Sequence, residues 1–118
     1  MWAYWCGNCA SKPVKLNELK EKINNSNFEM VFVSMDKDKA QWRSYIKRNN
    51  WDGHHILIPE IIDNPLAKII YEPKVEDGET TYWVSASTFF LINKTGFGKK
   101  IKNADSNKEL EYAIKKAL

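Results

Sequence analysis

The chain has 118 residues and a mass of 13.8 kDa, the size of one domain built around one core. Its 43% hydrophobic and 28% charged residues exclude the collagenous and disordered classes, and no apolar run approaches the ~20 residues of a bilayer-spanning helix. Lys+Arg 18 against Asp+Glu 15 leaves a formal net charge of +3, too mild and too evenly spread to argue for nucleic acid or an anionic membrane surface.

Trp2-Ala3-Tyr4-Trp5 is short and aromatic and reads as the end of a strand that runs into Cys6. Leu16, Leu19 and Ile23 then recur at helical spacing, predicting a helix from about Gly7 to Ile23 that Pro13 bends or loosens. Asn24-Asn25-Ser26-Asn27 closes it as a polar turn. Met30-Val31-Phe32-Val33 is continuously apolar, the pattern of a parallel strand covered on both faces. Asp36 or Asp38 caps a second helix whose buried stripe is Trp42, Tyr45 and Ile46, and Asn49-Asn50 ends it.

Trp51 to Pro65 reads as irregular, anchored in the core by Ile56, Leu57, Ile58, Ile61 and Ile62, and a helical turn or two follows over Leu66 to Tyr71. Asp77-Gly78 stands between two β-rich stretches, Tyr71–Val75 and Thr80–Val84, and predicts a hairpin. Thr88–Ile92 is the clearest strand, and Lys94-Thr95-Gly96 turns it into Phe97–Ile101 as an antiparallel pair. Ser106 and Glu109 form a capping box, followed by Leu110, Ala113, Ile114 and Ala117 on one face of a last helix. The sum is an α/β chain with a mixed sheet, a single domain over 1–118. The strand before the first helix has only four or five residues. Either the chain is a fragment of a longer protein, the reading favoured here, or another element or strand exchange with a neighbouring molecule fills the slot.

Cys6 and Cys9 are the chain's two cysteines, and they form a Cys-x-x-Cys. Two cysteines build neither a disulfide framework nor a four-cysteine zinc site, which leaves redox chemistry or half of a metal site. At a helix N-terminus, Cys6 meets unpaired backbone N–H groups and the positive end of the helix dipole. Lowering a thiol from ~8.5 to ~7 takes about 2 kcal/mol of thiolate stabilisation. The thiolate fraction at neutral pH then rises roughly 15-fold, while lower basicity reduces nucleophilicity about fivefold, so the larger benefit is a better leaving group. In this scheme Cys6 attacks a substrate disulfide and Cys9, one turn deeper, resolves the mixed disulfide. Gly7 leaves room for a partner chain, and Asn8 tunes the redox potential.

Trp5-Cys6-Gly7-Asn8-Cys9 resembles the W-C-G-x-C active site of thioredoxin-like proteins. Leu16-Asn17-Glu18-Leu19, Phe28–Asp36 and Thr88–Gly96 are similar, in family order, to the TlpA-like branch of extracytoplasmic thiol-disulfide oxidoreductases. The resemblance implies a thioredoxin-like fold, with a mixed central sheet flanked by helices and a truncated N-terminal strand. It implies Cys6 and Cys9 as catalytic cysteines, no organic cofactor, and protein thiols or disulfides plus a redox donor as partners. The location it implies is the bacterial periplasm or cell envelope. A bound substrate strand is expected against Trp5, Gly7, Asn8 and, on the facing loop, Ser87 and Thr88.

The chain departs from the family pattern in several places. Ser87 stands where the family carries a cis-proline, and a serine peptide bond prefers trans by about 2.5–4 kcal/mol. Pro13 stands one residue early, and an insert occupies about 71–83. The family's buried acid falls upstream of Met1, and no replacement is evident in the chain. Two other readings remain open beside redox exchange. One is a zinc or iron–sulfur site that borrows His54-His55, and the other is a non-catalytic thioredoxin-like interaction domain.

Overall fold

The computed structural model describes residues 1–10, 12–59, 64–65, 72–83, 88–101 and 107–118. In chain order they form α1 (Gly7–Ala10), α2 (Lys12–Ile23), β1 (Val31–Ser34), α3 (Lys39–Arg48) and β2 (His54–Leu57). The strands β3 (Glu72–Glu76), β4 (Glu79–Trp83), β5 (Phe89–Ile92) and β6 (Gly98–Ile101) follow, and α4 (Asn107–Ala117) ends the chain. Ile61, Ile62, the stretch 66–71, Ser87, Lys102 and Ser106 lie outside the described residues.

Among the described residues the strands pair as three two-stranded sheets, β3–β4 and β5–β6 antiparallel and β1–β2 parallel. In the parallel pair Phe32 stands opposite His55 and Ser34 opposite Leu57. On the N-terminal side Trp2 makes a parallel bridge to Ser34: Trp2 N–H donates to the Val33 carbonyl at 2.9 Å, and Met35 N–H to the Trp2 carbonyl at 3.2 Å. The Met1 amine donates to the Thr88 carbonyl at 2.7 Å. Met1 to Ala3 therefore lie between β1 and the start of β5, in the slot where a longer strand is expected.

The strand β2 corrects the reading of Trp51–Pro65 as irregular throughout. Its side chains alternate outward and inward, so His55 and Leu57 face the core while His54 and Ile56 face out. Ile56 is thus exposed rather than a core anchor, Leu57 is half-buried and Ile58 is buried. On β1 the apolar run is not covered on both faces, because Val31 is exposed and Phe32 and Ser34 are buried. Gly53 leads into β2 at φ +119°, and a Cβ there would stand 2.9 Å from a ring carbon of Phe32.

The remaining elements follow local chemistry. Asp38 is the N-cap of α3, its carboxylate accepting from the N–H groups of Ala40 and Gln41 at 2.9 and 3.0 Å. Asp77 (φ 52°) and Gly78 (φ 79°) make the β3–β4 turn, both left-handed as a tight two-residue hairpin requires. Asn93 pins the β5–β6 turn, its side-chain oxygen accepting from the N–H groups of Thr95 and Phe97 at 3.0 Å each.

Two apolar clusters result. One holds Trp2, Cys9, Met30, Phe32, Trp42 and Trp51, with Tyr45 and Ile46 of α3 packed against it. The other joins Leu19 of α2 to Leu110 and Ile114 of α4, under Phe89, Leu91 and Ile101 of the β5–β6 pair. Glu111 ties the two helices together, accepting from Lys22 of α2 and Lys115 of α4 at 2.7 Å each. Hydrogen bonds from Lys115 and then Lys22 hold its carboxyl down at about 2.

Gly53→Ala should lower the stability of the folded chain by about 1–3 kcal/mol, because both the positive φ and the Phe32 ring oppose a methyl group. Urea unfolding monitored by tryptophan fluorescence reads this as a fall in midpoint at unchanged slope.

Candidate functional site

The candidate site is the bend that carries the chain from Trp2 into α1. Cys6 N–H donates to the Ala3 carbonyl at 3.1 Å, which closes Ala3–Cys6 into a turn. Cys9 N–H donates to the Cys6 carbonyl at 2.9 Å, which begins the helix. A Cys-x-x-Cys spans one helical turn, so both sulfurs fall on one side of it. They are joined in a disulfide, with the Cα atoms 5.2 Å apart.

The two cysteines differ in environment. Cys9 is 2% exposed and belongs to the apolar cluster of Trp2, Met30, Phe32, Trp42 and Trp51. Cys6 is half-buried at the edge of that cluster. Around it Trp5 is 61% exposed, Gly7 and Asn8 are exposed, and a Cβ on Gly7 would meet nothing within 4 Å. Trp2, in contrast, is a core residue, edge-on to Trp51 with ring centroids 4.5 Å apart.

At the start of β5, Thr88 is buried and its carbonyl accepts from the Met1 amine. Ser87, expected beside it, lies outside the described residues, so the structure brings together Trp5, Cys6, Gly7, Asn8 and Cys9 at one bend. Cys6 immediately precedes Gly7, the first residue of α1, and so stands at a helix N-terminus, where unpaired first-turn N–H groups favour a sulfur anion.

Sequence reasoning missed a buried carboxyl group. Asp36 has no exposed surface. It accepts from the Tyr4 N–H at 3.0 and 3.2 Å and from the Ser34 hydroxyl at 2.5 Å. The only sequence signal for it was the choice between Asp36 and Asp38 as helix cap. The cap is Asp38, which leaves Asp36 for the bend.

His54 and His55 do not converge with the cysteines on a common point as metal ligands. His54 is exposed, 3.9 Å from the Glu29 carboxylate. His55 is stacked on Phe32 at 5.0 Å between centroids, with Nε2 3.3 Å from the Trp51 carbonyl. Among the described residues, no group of three or more His, Cys, Asp or Glu side chains is placed to hold a metal ion.

A family model described as thioredoxin-like matches residues 1–69, more than half of the chain. The chain belongs to the thioredoxin-like family. A curated relative, "Probable nucleoredoxin 3" from Oryza sativa subsp. japonica, is 33% identical over 51 residues. That match covers 42% of this chain and 11% of the rice protein. In fold the chain is similar to the solution structure of a "putative thiol-disulfide oxidoreductase" from Bacteroides vulgatus, with a TM-score of 0.65 at 22% identity. The match covers 94% of this chain and 66% of that one. The thioredoxin-like fold, a mixed α/β architecture, is thus reached from both the family match and the structure.

Burial lowers the His55 imidazole below its ordinary 6.5, outweighing the Trp51 carbonyl and the Asp52 charge that favour the proton. The folded protein holds this proton less tightly than the unfolded chain does. Stability is therefore complete above pH 6.5 and declines as pH falls below it, until the folded-state imidazole is protonated too. His55→Phe, which keeps the stack on Phe32, should flatten this part of the profile; urea midpoints measured in steps from pH 7.5 to about 5 report it.

Proposed function

We propose that the domain exchanges disulfides with protein or peptide cysteines through Cys6 and Cys9. The observation that carries this reading is the bonded pair at the bend between the Trp2 bridge and α1, with one cysteine half-buried and the other buried. Membership of the thioredoxin-like family supports it, as does the naming of the fold neighbour as an oxidoreductase.

In the reduced domain the Cys6 thiolate attacks one sulfur of a partner disulfide. The Cys6–partner bond forms, the partner's own sulfur–sulfur bond breaks, and one partner sulfur leaves as a thiolate that takes up a proton. Cys9 then loses its proton and attacks the Cys6 sulfur, releasing the second partner thiol and closing the Cys6–Cys9 bond. Two electrons pass from the domain to the partner. In the oxidised domain a partner thiolate attacks Cys6 and the same steps run backwards. The apolar surroundings of Cys9 disfavour its thiolate, so Cys9 waits as a thiol while Cys6 makes first contact.

Trp5, Gly7 and Asn8 form the approach on one side of Cys6, and Ser87 and Thr88 the opposing strand start in this proposal. An external redox donor resets the pair. A TlpA-like role in the bacterial envelope rests on the resemblance of Leu16–Leu19, Phe28–Asp36 and Thr88–Gly96 to that branch.

Cys6→Ser should reduce turnover of an insulin or glutathione exchange assay by a factor on the order of a hundred or more. Cys9→Ser should instead accumulate a mixed disulfide with partner proteins, visible as a thiol-sensitive band on a non-reducing gel. If both variants match the parent in turnover, the domain is not a catalyst of this reaction.

Gly7→Val separates a protein substrate from a small one. A Cβ at this position meets nothing within 4 Å, so the fold has room for a side chain there, and urea midpoints of the variant check that it folds as the parent does. Exchange with a protein disulfide should slow about tenfold while exchange with glutathione changes little, read as separate rate constants.

A further inference from the structure

The exchange scheme leaves the Asp36 carboxyl unused, although it has no exposed surface and stands at the root of the redox bend. Its surroundings are specific. Tyr4 N–H donates to both of its oxygens, the Ser34 hydroxyl donates to one of them, and Asp36 N–H donates back to Ser34 Oγ at 3.1 Å. Tyr4 is the second residue of the turn whose closing bond is made by Cys6 N–H. The Cys6 carbonyl in turn receives the Cys9 N–H. From carboxylate to sulfur pair the connection is thus one turn and one helical hydrogen bond.

We propose that Asp36 is a positioning residue for the redox pair, acting through the Tyr4 N–H to hold the Ala3–Cys6 turn in the geometry that closes the Cys6–Cys9 ring. The proposal rests on the thiol–disulfide reading above. Trp2 is fixed to β1 by backbone bonds on one side of the bend, and α1 follows on the other. Between them, the Asp36–Tyr4 bonds tie the turn to the end of β1. Closing a disulfide within one chain depends on how often the two sulfurs meet in bonding geometry, which is an effective concentration. A turn released from its anchor presents the sulfurs to each other less often.

The reaction that reads this is the exchange of the Cys6–Cys9 disulfide with two glutathione thiols, giving the dithiol and one glutathione disulfide. Uniform destabilisation of the fold affects oxidised and reduced protein alike and leaves this equilibrium unmoved while both stay folded. A lost anchor does move it.

The experiment compares the parent, Asp36→Asn and Ser34→Ala in glutathione redox buffers, with urea midpoints recorded for both redox states. In Asp36→Asn the amide nitrogen faces a donor on one side or the other, so one anchor bond is lost at nearly constant volume. The expected result is a roughly tenfold fall in the closure equilibrium constant, equivalent to a potential about 30 mV more oxidising. Ser34→Ala keeps the Tyr4 bonds but removes the hydroxyl that orients the carboxylate, and should shift the constant about threefold in the same direction. If Asp36→Asn does not fold, Ser34→Ala decides. Closure constants within twofold of the parent in the folded variants, whatever their urea midpoints, overturn the proposal. A parent that does not exchange with glutathione at all overturns the functional reading instead, so the two failures are distinguishable.

Discussion

The structure depends on the pairing of Trp2 with β1. Two backbone hydrogen bonds, from Trp2 to Val33 and from Met35 to Trp2, set the register in which the chain leaves the sheet toward Cys6. A parallel pair has one sense, so both chains end at the same edge, and the bends after them are neighbours. The bend after Trp2 carries the cysteines, and the bend after β1 carries Asp36. That a cysteine pair and a buried carboxyl meet is therefore a consequence of parallel pairing, not of their separation of some thirty residues in the chain. Open α/β sheets place ligands beyond the carboxyl ends of their strands for the same geometric reason.

The same register explains the division of side chains around the site. Trp2, Phe32 and Ser34 share a face of the sheet, and His55 and Leu57 of β2 join it. α3 covers that face with Trp42, Tyr45 and Ile46, while Trp51 closes it from the loop after the helix. Four aromatic rings of this group contact Trp51: Trp2, Phe32, Tyr45 and His55. Large planar rings fill such a space with few rotatable bonds, so the surface under Cys9 is held rigidly. Rigidity there matters more than elsewhere, because a sulfur–sulfur bond tolerates little error in distance or angle.

Much of this was legible in the sequence because it is written locally. The Cys-x-x-Cys, the aromatic approach to it, the Asp77-Gly78 turn and the stripe of Trp42, Tyr45 and Ile46 each lie within a few adjacent residues. Two features were not legible, for different reasons. His54–Leu57 has neither alternation of apolar and polar residues nor a long β-branched run, and Gly53 before it signals a loop. It becomes a strand because β1 offers an unpaired edge, a tertiary cause. Asp36 and Asp38 are chemically identical candidates two residues apart, and only the course of the chain shows which one caps α3 and which turns inward. The position of Ile56 followed from the first of these. Once the segment is a strand, alternation sends it outward, whatever its hydropathy.

The contrast between Cys6 and Cys9 then follows from one geometric fact. A strand that ends at the sheet's edge and turns directly into a helix leaves the first residue of the new element at the rim, and puts the residue one turn later over the core. The rim position keeps access to solvent and to first-turn N–H groups, which favour an anion. The core position is surrounded by apolar rings, which disfavour one. The two sulfurs are chemically alike, and their difference in accessibility comes from their places on one helical turn. A swap of their positions would require the helix to slide along its axis by three residues, about 4.5 Å, against Trp2, Phe32 and Trp51, which the packing of those rings prevents. In the proposed exchange, the order of attack and resolution is in this sense a property of the bend rather than of either cysteine.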